Sequence, residues 1–257
     1  MKYMGSKNRH AKYITPFVQV LLGYGFNKYV EPFVGGANLI DKVRATYKIG
    51  YDSNKYLIAL LNYVAQGNPM PETITESEYL KVRDSKESYP DWYVGMVGFC
   101  AGYSGKFFGG YARSFDSKGN SRDMPAEALR NLKTQRHQLK GIDFYACDYK
   151  NVPKTSAVFY CDPPYFSTTN YKGNVENFDH AQFWQWARNR AQEGNPVLIS
   201  EYSAPADFTC IWQKKVNSSL SADTGAKQET EKLYLHVSQF FKYPLIWHLM
   251  DKNEHTK

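Results

Sequence analysis

Residues 159–167 read FYCDPPYFS, and this stretch indicates where one strand of the fold ends. The apolar residues before Asp162 are typical of a buried strand, and the prolines after it end that strand because proline cannot donate to a β-ladder. A carboxylate, two rigid carbonyl groups and a phenol ring therefore follow the carboxyl end of a strand, where open α/β sheets bind ligands. Two interpretations compete: a stiff turn without chemistry and a rigid catalytic platform.

The sequence on either side of this stretch predicts strands that alternate with helices, which indicates a largely parallel α/β sheet. Before residue 67 the expected elements are a helix at 8–22, a strand at 29–33, a helix at 38–46, a strand at 47–51 and a helix at 54–66. After residue 140 they are strands at 142–147, 156–162 and 195–202, a helix at 179–192, and an antiparallel pair at 211–217 and 232–238. Phe183, Trp186 and Ala187 share one face of the 179–192 helix, the spacing of a helix packed on a sheet.

The alternation breaks between residues 67 and 140. Helices are predicted there at about 75–87, 90–101 and 125–140, around a glycine-rich loop. Within that loop Asp-Ser-Lys-Gly-Asn, residues 116–120, is typical of a hairpin turn. We interpret 67–140 as an inserted, mostly helical subdomain that carries a hairpin, and 1–66 with 141–257 as one domain.

Composition limits the class of protein. The chain has 257 residues, of which 42% are hydrophobic, so a large core is available. No apolar run reaches membrane-spanning length, and the N-terminal MKYMGSKNRH lacks the apolar stretch of a signal peptide, so we expect action in the cytoplasm. The four cysteines form no C-x-x-C pair and the six histidines are scattered, which predicts reduced thiols and no metal site.

Positive charge concentrates in the predicted insertion. The formal net charge is +7 and the pI is about 9.0. Residues 101–140 contain eight basic and three acidic side chains, an excess of five. A solvated surface helix would explain residues 130–140, but the preceding loop mixes aromatic, glycine and basic residues. This mixture favours a nucleic-acid partner.

Acidic residues and glycines recur at the predicted strand ends. EPFVGGAN at 31–38 runs from a strand into Gly35-Gly36, which suits either a tight turn or a backbone approached by a ligand. The chain has no G-x-G-x-x-G and no Walker lysine, which disfavours a dinucleotide or nucleoside triphosphate site. Asp52 ends the next strand and either holds a ribose or caps the following helix. Asp148-Tyr149 and Asp162 end two further strands. Turn-forming preferences alone do not explain why four strand ends at one edge of the sheet carry glycines or acidic residues.

The chain resembles the Dam-type, D12 class DNA adenine-N6 methyltransferases. The matching stretches are KYMGSK (2–7), EPFVGGANLI (31–40), YDSN (51–54), CDYKNV (147–152), VFYCDPPY (158–165) and PVLISEY (196–202). They occur in the family's order and cover most of residues 1–205. The resemblance implies an α/β, Rossmann-like class I methyltransferase fold with a mixed sheet and helices on both faces. It also implies S-adenosylmethionine as cofactor and S-adenosylhomocysteine as product.

The resemblance also implies that 67–140 is a target-recognition subdomain and that 1–66 with 141–257 is the catalytic domain, and it implies residue roles. Cofactor binding falls to Tyr3, Met4, Gly5, Phe33, Gly35, Gly36, Ala37, Asn38, Asp52, Asp148, Tyr149 and Asp162. Asp52 would hold the ribose, and Asp148 with Tyr149 would lie near the adenine ring. The catalytic residues would be Asp162, Pro163, Pro164, Tyr165 and Lys7. DNA binding would involve Lys2, Lys7, Tyr103, Lys106, Arg113, Lys118 and Arg122.

The expected chemistry suits an exocyclic amino group, which is a poor nucleophile because its lone pair is delocalised. Asp162 and the Pro163 carbonyl would accept its two hydrogens and aim the lone pair at the sulfonium methyl, with rigid prolines holding these acceptors in place. Tyr165 would stack on a base flipped out of the duplex. Neither a metal nor a covalent nucleophile is needed, and the Pro-Cys pair of cytosine-C5 enzymes is missing from the sequence.

Two regions depart from the family pattern. The segment 100–140 is longer than in the GATC-reading members and has no Pro-Phe-Gly, so the resemblance carries over no target sequence. Its aromatic residues Tyr103, Phe107, Phe108 and Tyr111 suit either stacking on DNA or a small local core. Glu201-Tyr202 stands where members often have Asn-His, and 218–230 suits either a hairpin connection or a loop that orders on DNA.

Two other functions stay open. One is an RNA adenine methyltransferase of the same fold, although no added RNA-binding module is found. The other is a non-catalytic DNA-binding decoy, against which the intact DPPY, glycine turn and Asp52 argue. We expect double-stranded DNA as partner and a monomer or weak dimer, in an orphan, phage or restriction-linked role, the last with a cognate restriction enzyme.

Overall fold

The computed structural model describes residues 1–166, 178–218 and 227–254, without the side chains of 216–218, 227–229 and 251–254. The strands are β1 Lys28–Glu31, β2 Tyr47–Asp52, β3 Ser114–Phe115, β4 Ser121–Arg122, β5 Ile142–Ala146, β6 Val158–Cys161, β7 Val197–Glu201, β8 Phe208–Ser218 and β9 Lys227–His236. The helices are α1 Ala11–Leu22, α2 Lys55–Ala65, α3 Glu76–Asp84, α4 Asp91–Cys100, α5 Met124–Leu139, α6 His180–Gln192, α7 Val237–Phe240 and α8 Trp247–Glu254.

A mixed sheet of seven strands has the order β5-β2-β1-β6-β7-β9-β8 in the described part of the chain. The pairs β2/β5, β1/β6 and β6/β7 are parallel, whereas β7/β9 and β8/β9 are antiparallel. This topology confirms the predicted α/β class with a mixed sheet and a terminal antiparallel pair. Residues 219–226, the centre of the predicted loop, lie outside the described residues, and β8 and β9 pair on either side of them.

The chain divides into two compact units. The first contains Met1–Ala11, Phe33–Val43 and Tyr47–Val152, and the second contains Lys12–Pro32, Arg44–Thr46 and Pro153–Lys257. Residues 67–140 lie wholly in the first unit together with β2 and β5, and the boundaries of a separate recognition subdomain stay a prediction.

In the first unit, α2 and α4 pack closely. Asn54 caps α2, since its side-chain oxygen accepts hydrogen bonds from the N–H groups of Tyr56 and Leu57. Gly95 permits the approach of α4, because a Cβ atom there would lie 2.1 Å from the Tyr56 carbonyl oxygen. The three helices predicted between residues 67 and 140 are present as α3, α4 and α5, and the predicted turn at 116–120 connects β3 to β4.

In the second unit, β6 and β7 form the centre of the core, because every residue of both strands is buried. Helix α6 buries Phe183, Trp186 and Ala187, which confirms the predicted packing face. The rings of Phe159 and Trp186 meet edge to face with centroids 6.0 Å apart. Carboxyl ends of parallel neighbours lie side by side, so the residues after β6 and β7 are brought close together.

The predicted helix at 38–46 is wrong. Only the 3-10 turn Ile40–Lys42 forms there, and β2 begins at Tyr47. Leu39, Ile40 and Val43 of the segment are buried, but Ala45 is only half-buried. The carbonyls of Gly36 and Ala37 accept hydrogen bonds from the Gln135 side chain instead of starting a helical ladder. A helix N-terminus therefore does not follow the glycine turn.

Candidate functional site

The glycine turn of the first unit is packed under Tyr3. Gly35 and Ala37 have positive φ angles of 47° and 54°. A Cβ atom on Gly35 would lie 2.8 Å from the Tyr3 ring, and one on Gly36 would lie 2.6 Å from the Tyr3 Cβ. The glycines are therefore required by the close approach of Tyr3, and the φ of Gly35 adds a conformational reason.

Asp52 connects the glycine turn to the end of β2. One carboxylate oxygen accepts a hydrogen bond from the Gly35 N–H at 3.2 Å, and the other accepts from the Asn54 N–H at 2.9 Å. Burial raises the pKa of Asp52, and the two N–H bonds act in the opposite direction. Because Asn54 caps α2, the alternative that Asp52 serves as the helix cap is wrong.

Asp148 and Tyr149 follow β5, the parallel neighbour of β2. The N–H of Cys147 donates to the Asp52 carbonyl at 2.9 Å, which extends the ladder to the residue before Asp148. The Asp148 carboxylate accepts from the Lys150 N–H at 2.9 Å and so caps a 3-10 turn. The ring of Tyr149 is buried, 5.2 Å from the Phe33 ring. An aromatic pair, a carboxylate and a glycine turn thus share this part of the first unit.

The N-terminal segment is the last part of the candidate site in the first unit. A turn over residues 3–6 contains Met4 and Gly5, whose φ is 77°, and it precedes the 3-10 helix Lys7–Arg9. The side chain of Asn38 accepts a hydrogen bond from the Met1 amine and donates to the Met1 carbonyl, each at 3.0 Å. The amide of Asn38 is therefore engaged by the chain itself, and its role at a cofactor stays a prediction.

The DPPY stretch belongs to the second unit and follows β6. Pro163 is buried, while Asp162, Pro164 and Tyr165 are half-buried. The Tyr165 hydroxyl donates a hydrogen bond to Glu231 of β9. The ring of Tyr202 meets the Tyr165 ring edge to face, with centroids 4.7 Å apart.

Glu201, the last residue of β7, holds the backbone that follows Tyr165. Its carboxylate accepts hydrogen bonds from the Phe166 N–H at 3.2 Å and the Tyr202 N–H at 2.7 Å. The pKa of Glu201 is raised to about 7, chiefly by burial and also by the nearby Asp162 and Glu231 carboxylates, against the opposing effect of the two N–H bonds. Sequence reasoning noted Glu201 only as a departure from the family pattern and missed Glu231.

Burial also raises the pKa of Tyr165 well above its ordinary value, and the nearby Asp162 and Glu231 carboxylates add to this effect. The phenol is therefore neutral at working pH and remains a hydrogen-bond donor. Its acceptor, Glu231, is only 4% exposed.

The aromatic residues of the glycine-rich loop divide into two groups. Phe107 packs on Tyr56 and Phe99, with ring centroids 5.5 and 5.0 Å apart, and Phe108 packs on Tyr79 at 5.2 Å. Tyr111 donates its hydroxyl to the Ile74 carbonyl at 2.8 Å. These residues form a local core, as the alternative interpretation expected.

Tyr103 is different, because it is 63% exposed and remains suited to contact a ligand. Gly105, two residues on, packs against Lys2 and Tyr3, since a Cβ there would lie 2.7 Å from the Lys2 carbonyl oxygen. The backbone next to Tyr103 thus rests on the N-terminal segment.

The basic residues proposed for DNA lie at the surface. Arg113 pairs with Glu76 and Arg122 pairs with Glu127, and all four side chains are well exposed. Exposed ion pairs of this kind contribute little to stability, so each arginine can exchange its carboxylate partner for another anion. Lys118 is exposed in the hairpin turn, and Lys106 is half-buried beside Gly109. The exposed Phe115 of β3 was missed, although its place between Arg113 and Lys118 is a usable signal.

All four cysteines are free, as predicted. Searching the described ranges finds no group of three or more His, Cys, Asp or Glu residues that could hold a metal ion. Likewise, none of the helices in the described residues has the length and apolar character needed to cross a membrane.

Comparison with known proteins gives a consistent result. The model of one family, described as D12 class N6 adenine-specific DNA methyltransferase, matches residues 3–234. The DNA adenine methylases of Salmonella typhi and Salmonella typhimurium are each 26% identical over 243 residues, covering 79% of this chain and 84% of theirs. The rRNA methyltransferase aviRa from Streptomyces viridochromogenes covers 94% of this chain and 89% of its own at 11% identity. Its TM-score of 0.42 is too low to support any argument about function.

Proposed function

The chain belongs to the D12 class of N6 adenine-specific DNA methyltransferases, and on that premise we propose that it methylates adenine N6 within a short site of double-stranded DNA. Membership in the class implies a methyl donor, for which we propose S-adenosylmethionine. The observation that carries the proposal is the DPPY stretch, which follows a fully buried strand and whose tyrosine is fixed by a buried carboxylate.

The residues of the first unit fit such a cofactor by their chemistry. Asp52 offers a partly accessible carboxylate, the acceptor that a pair of ribose hydroxyls requires. Phe33 and Tyr149 offer an aromatic pair for a purine ring. Gly35 and Gly36 leave the backbone of the turn without side chains. The cofactor, when bound, supplies a methyl group carried on a sulfonium sulfur.

The residues of the second unit hold the nucleophile. The Asp162 carboxylate and the Pro163 carbonyl accept the two hydrogens of the adenine amino group, so the nitrogen lone pair turns out of the ring plane. Asp162 would also take up the proton that the amino group loses when its nitrogen accepts the methyl group that the bound cofactor would supply. The prolines keep both acceptors in place before reaction, so little reorganisation is needed.

Tyr165 stacks on the base, which must leave the duplex to reach a pocket at a strand end. Binding of the duplex itself falls to the exposed cations Arg113, Lys118 and Arg122, with Tyr103 as a stacking surface. Lys2 and Lys106 are also proposed to contact the DNA, and Lys7 is proposed to lie close to the catalytic pocket. A DNA substrate implies that the enzyme acts where the DNA is, which in a bacterium is the cytoplasm.

The test is methylation of plasmid DNA by the purified protein, followed by long-read mapping of N6-methyladenine. We expect marks in one short motif with the native protein and none with Asp162→Ala, which removes the acceptor and leaves the fold. Methyl transfer from labelled cofactor to RNA of the same sequence is measured for comparison with transfer to the DNA. Methylation of RNA alone, or of neither polymer by a folded protein, would contradict the proposal.

A further inference from the structure

Among the buried glutamates of the second unit, Glu201 and Glu231 contact residues 165 and 166 and have no role in the proposed chemistry. Glu201 and Glu231 are 2% and 4% exposed, and they lie 35 and 66 positions after the backbone and side chain that they bind. Burying a carboxylate costs free energy unless hydrogen bonds compensate it. Glu231 accepts a hydrogen bond from the hydroxyl of Tyr165, the last residue of DPPY, and Glu201 accepts one from the N–H of Phe166, the next residue.

We propose that Glu231 and Glu201 are positioning residues, which fix the axis of the Tyr165 ring at the place where the ring stacks on the target adenine. This inference rests on the proposed function. Glu231 acts through the side chain of Tyr165, and Glu201 acts through the N–H of Phe166.

The geometry explains why two glutamates are used. The phenol oxygen lies on the axis about which the ring rotates, so the bond to Glu231 fixes the far end of that axis and leaves rotation free. Glu201 fixes the chain next to the near end of the axis, through the Phe166 N–H. The Tyr202 ring, which stands nearly perpendicular to the Tyr165 ring, then restricts rotation of the Tyr165 ring about this axis.

Strand pairing supplies the rigidity behind these contacts. Glu201 pairs in register with Lys232 of β9, the residue after Glu231. The Tyr234 hydroxyl, also from β9, donates to the Tyr202 carbonyl at 3.2 Å. Strand β9 therefore supports the Tyr165 ring both through Glu231 and through the backbone of Tyr202, and β7 contributes Glu201 from the strand beside it.

A hydrogen-bond acceptor for a neutral phenol need not be charged. Glu231→Gln keeps an amide oxygen at that place, whereas Glu231→Ala removes the acceptor. Tyr165→Phe removes the donor and keeps the ring. If the bond positions the ring, Glu231→Ala and Tyr165→Phe must have similar kcat values, and Glu231→Gln must have a kcat close to that of the native protein.

The experiment measures kcat and KM for plasmid DNA and the cofactor dissociation constant with these variants and with Glu231→Ala/Tyr165→Phe. We expect Tyr165→Phe and Glu231→Ala each to lower kcat about ten-fold, the effect of one lost hydrogen bond. The double variant should be no worse than either single one, since both remove the same bond. Glu231→Gln should stay within about three-fold of the native kcat, and cofactor binding should not change.

A matched control separates positioning from general loss of stability. Tyr243→Phe removes another buried phenol hydroxyl of the same unit, which donates to the Gly194 carbonyl at 3.3 Å. Gly194 precedes the amino end of β7, whereas Glu201 is at its carboxyl end, so this control should lose stability and keep kcat.

Additive effects in the double variant would overturn the inference, as would a Glu231→Gln variant as slow as Glu231→Ala. Native kcat in Tyr165→Phe would also overturn it, while leaving the proposed function intact. Failure of the native protein to methylate DNA would overturn both.

Discussion

Asp52 and Glu231 are both acids at functional positions, but they are held in different ways. The two Asp52 oxygens accept hydrogen bonds from backbone N–H groups of Gly35 and Asn54, only 17 and 2 positions away. Glu231 binds a side-chain hydroxyl 66 positions away. The Asp52 arrangement is thus built by local backbone geometry, whereas the Glu231 arrangement is built by strand pairing. Variants should therefore fail differently in the two regions.

Of the variants that compare these two regions, Asp52→Ala should have the largest effect, a loss of cofactor affinity. It removes the acceptor proposed for the ribose and leaves the Gly35 and Asn54 N–H groups without their partner. We expect the cofactor to bind about 100-fold more weakly, as for the loss of a charged hydrogen-bonding group, measured by titration calorimetry.

Glu231→Ala is the companion for this measurement, because it changes the other region and should leave cofactor affinity unchanged. If both variants weaken cofactor binding equally, the two regions do not have the separate roles proposed for them.

Gly36→Ala tests whether the first region depends on its backbone. A methyl group there would lie 2.6 Å from the Tyr3 Cβ, so the tyrosine or the turn must move. We expect a loss of about 1–3 kcal/mol in the free energy of unfolding, together with weaker cofactor binding.

Gly95→Ala is the control, because its methyl group would lie 2.1 Å from the Tyr56 carbonyl oxygen in the α2–α4 contact. It should destabilise the protein and leave the cofactor affinity of the folded fraction unchanged. Unchanged cofactor binding in Gly36→Ala would mean that Tyr3 plays no part in it.

Glu201 provides a test through pH. Its pKa rises from 4.5 to about 7 on folding, because burial and the neighbouring carboxylates Asp162 and Glu231 disfavour its charge. The folded protein therefore binds this proton more tightly than the unfolded chain, and the stability contributed by Glu201 falls as the pH rises from about 4.5 to about 7. The full effect is at most about 3 kcal/mol.

Glu201→Gln removes this titration, so its stability should depend less on pH than that of the native protein. Denaturant unfolding at pH 5, 6 and 8 measures the difference. The variant loses one of two acceptors and should be less stable at pH 5, then approach or exceed the native protein at pH 8. Parallel curves for the two proteins would refute the pKa assigned to Glu201.

The difference between local backbone geometry and distant strand pairing also decides which features the sequence could predict. The glycine turn, Asp52 and DPPY depend on residues close together in the chain, and their residue types indicate the geometry. The contacts of Glu201 and Glu231 depend on the pairing of β7 with β9, which no local pattern specifies. The predicted helix at 38–46 failed for a related reason, since the Ala37 carbonyl just before it accepts a hydrogen bond from Gln135, 98 positions away in the chain.

The smallest predicted effect is that of Lys118→Ala, in the hairpin turn, on DNA affinity. This side chain is exposed, in a turn organised by hydrogen bonds to Asp116, so its loss should not disturb the fold. If it contacts a phosphate, DNA affinity should fall a few-fold for all sequences alike, and the slope of log K against log salt should decrease by about 1. Lys81→Ala, on the exposed face of α3, removes the same charge elsewhere and should leave that slope unchanged. A change in the methylated motif instead of the salt slope would mean that Lys118 contacts a base, which would make the hairpin part of target selection.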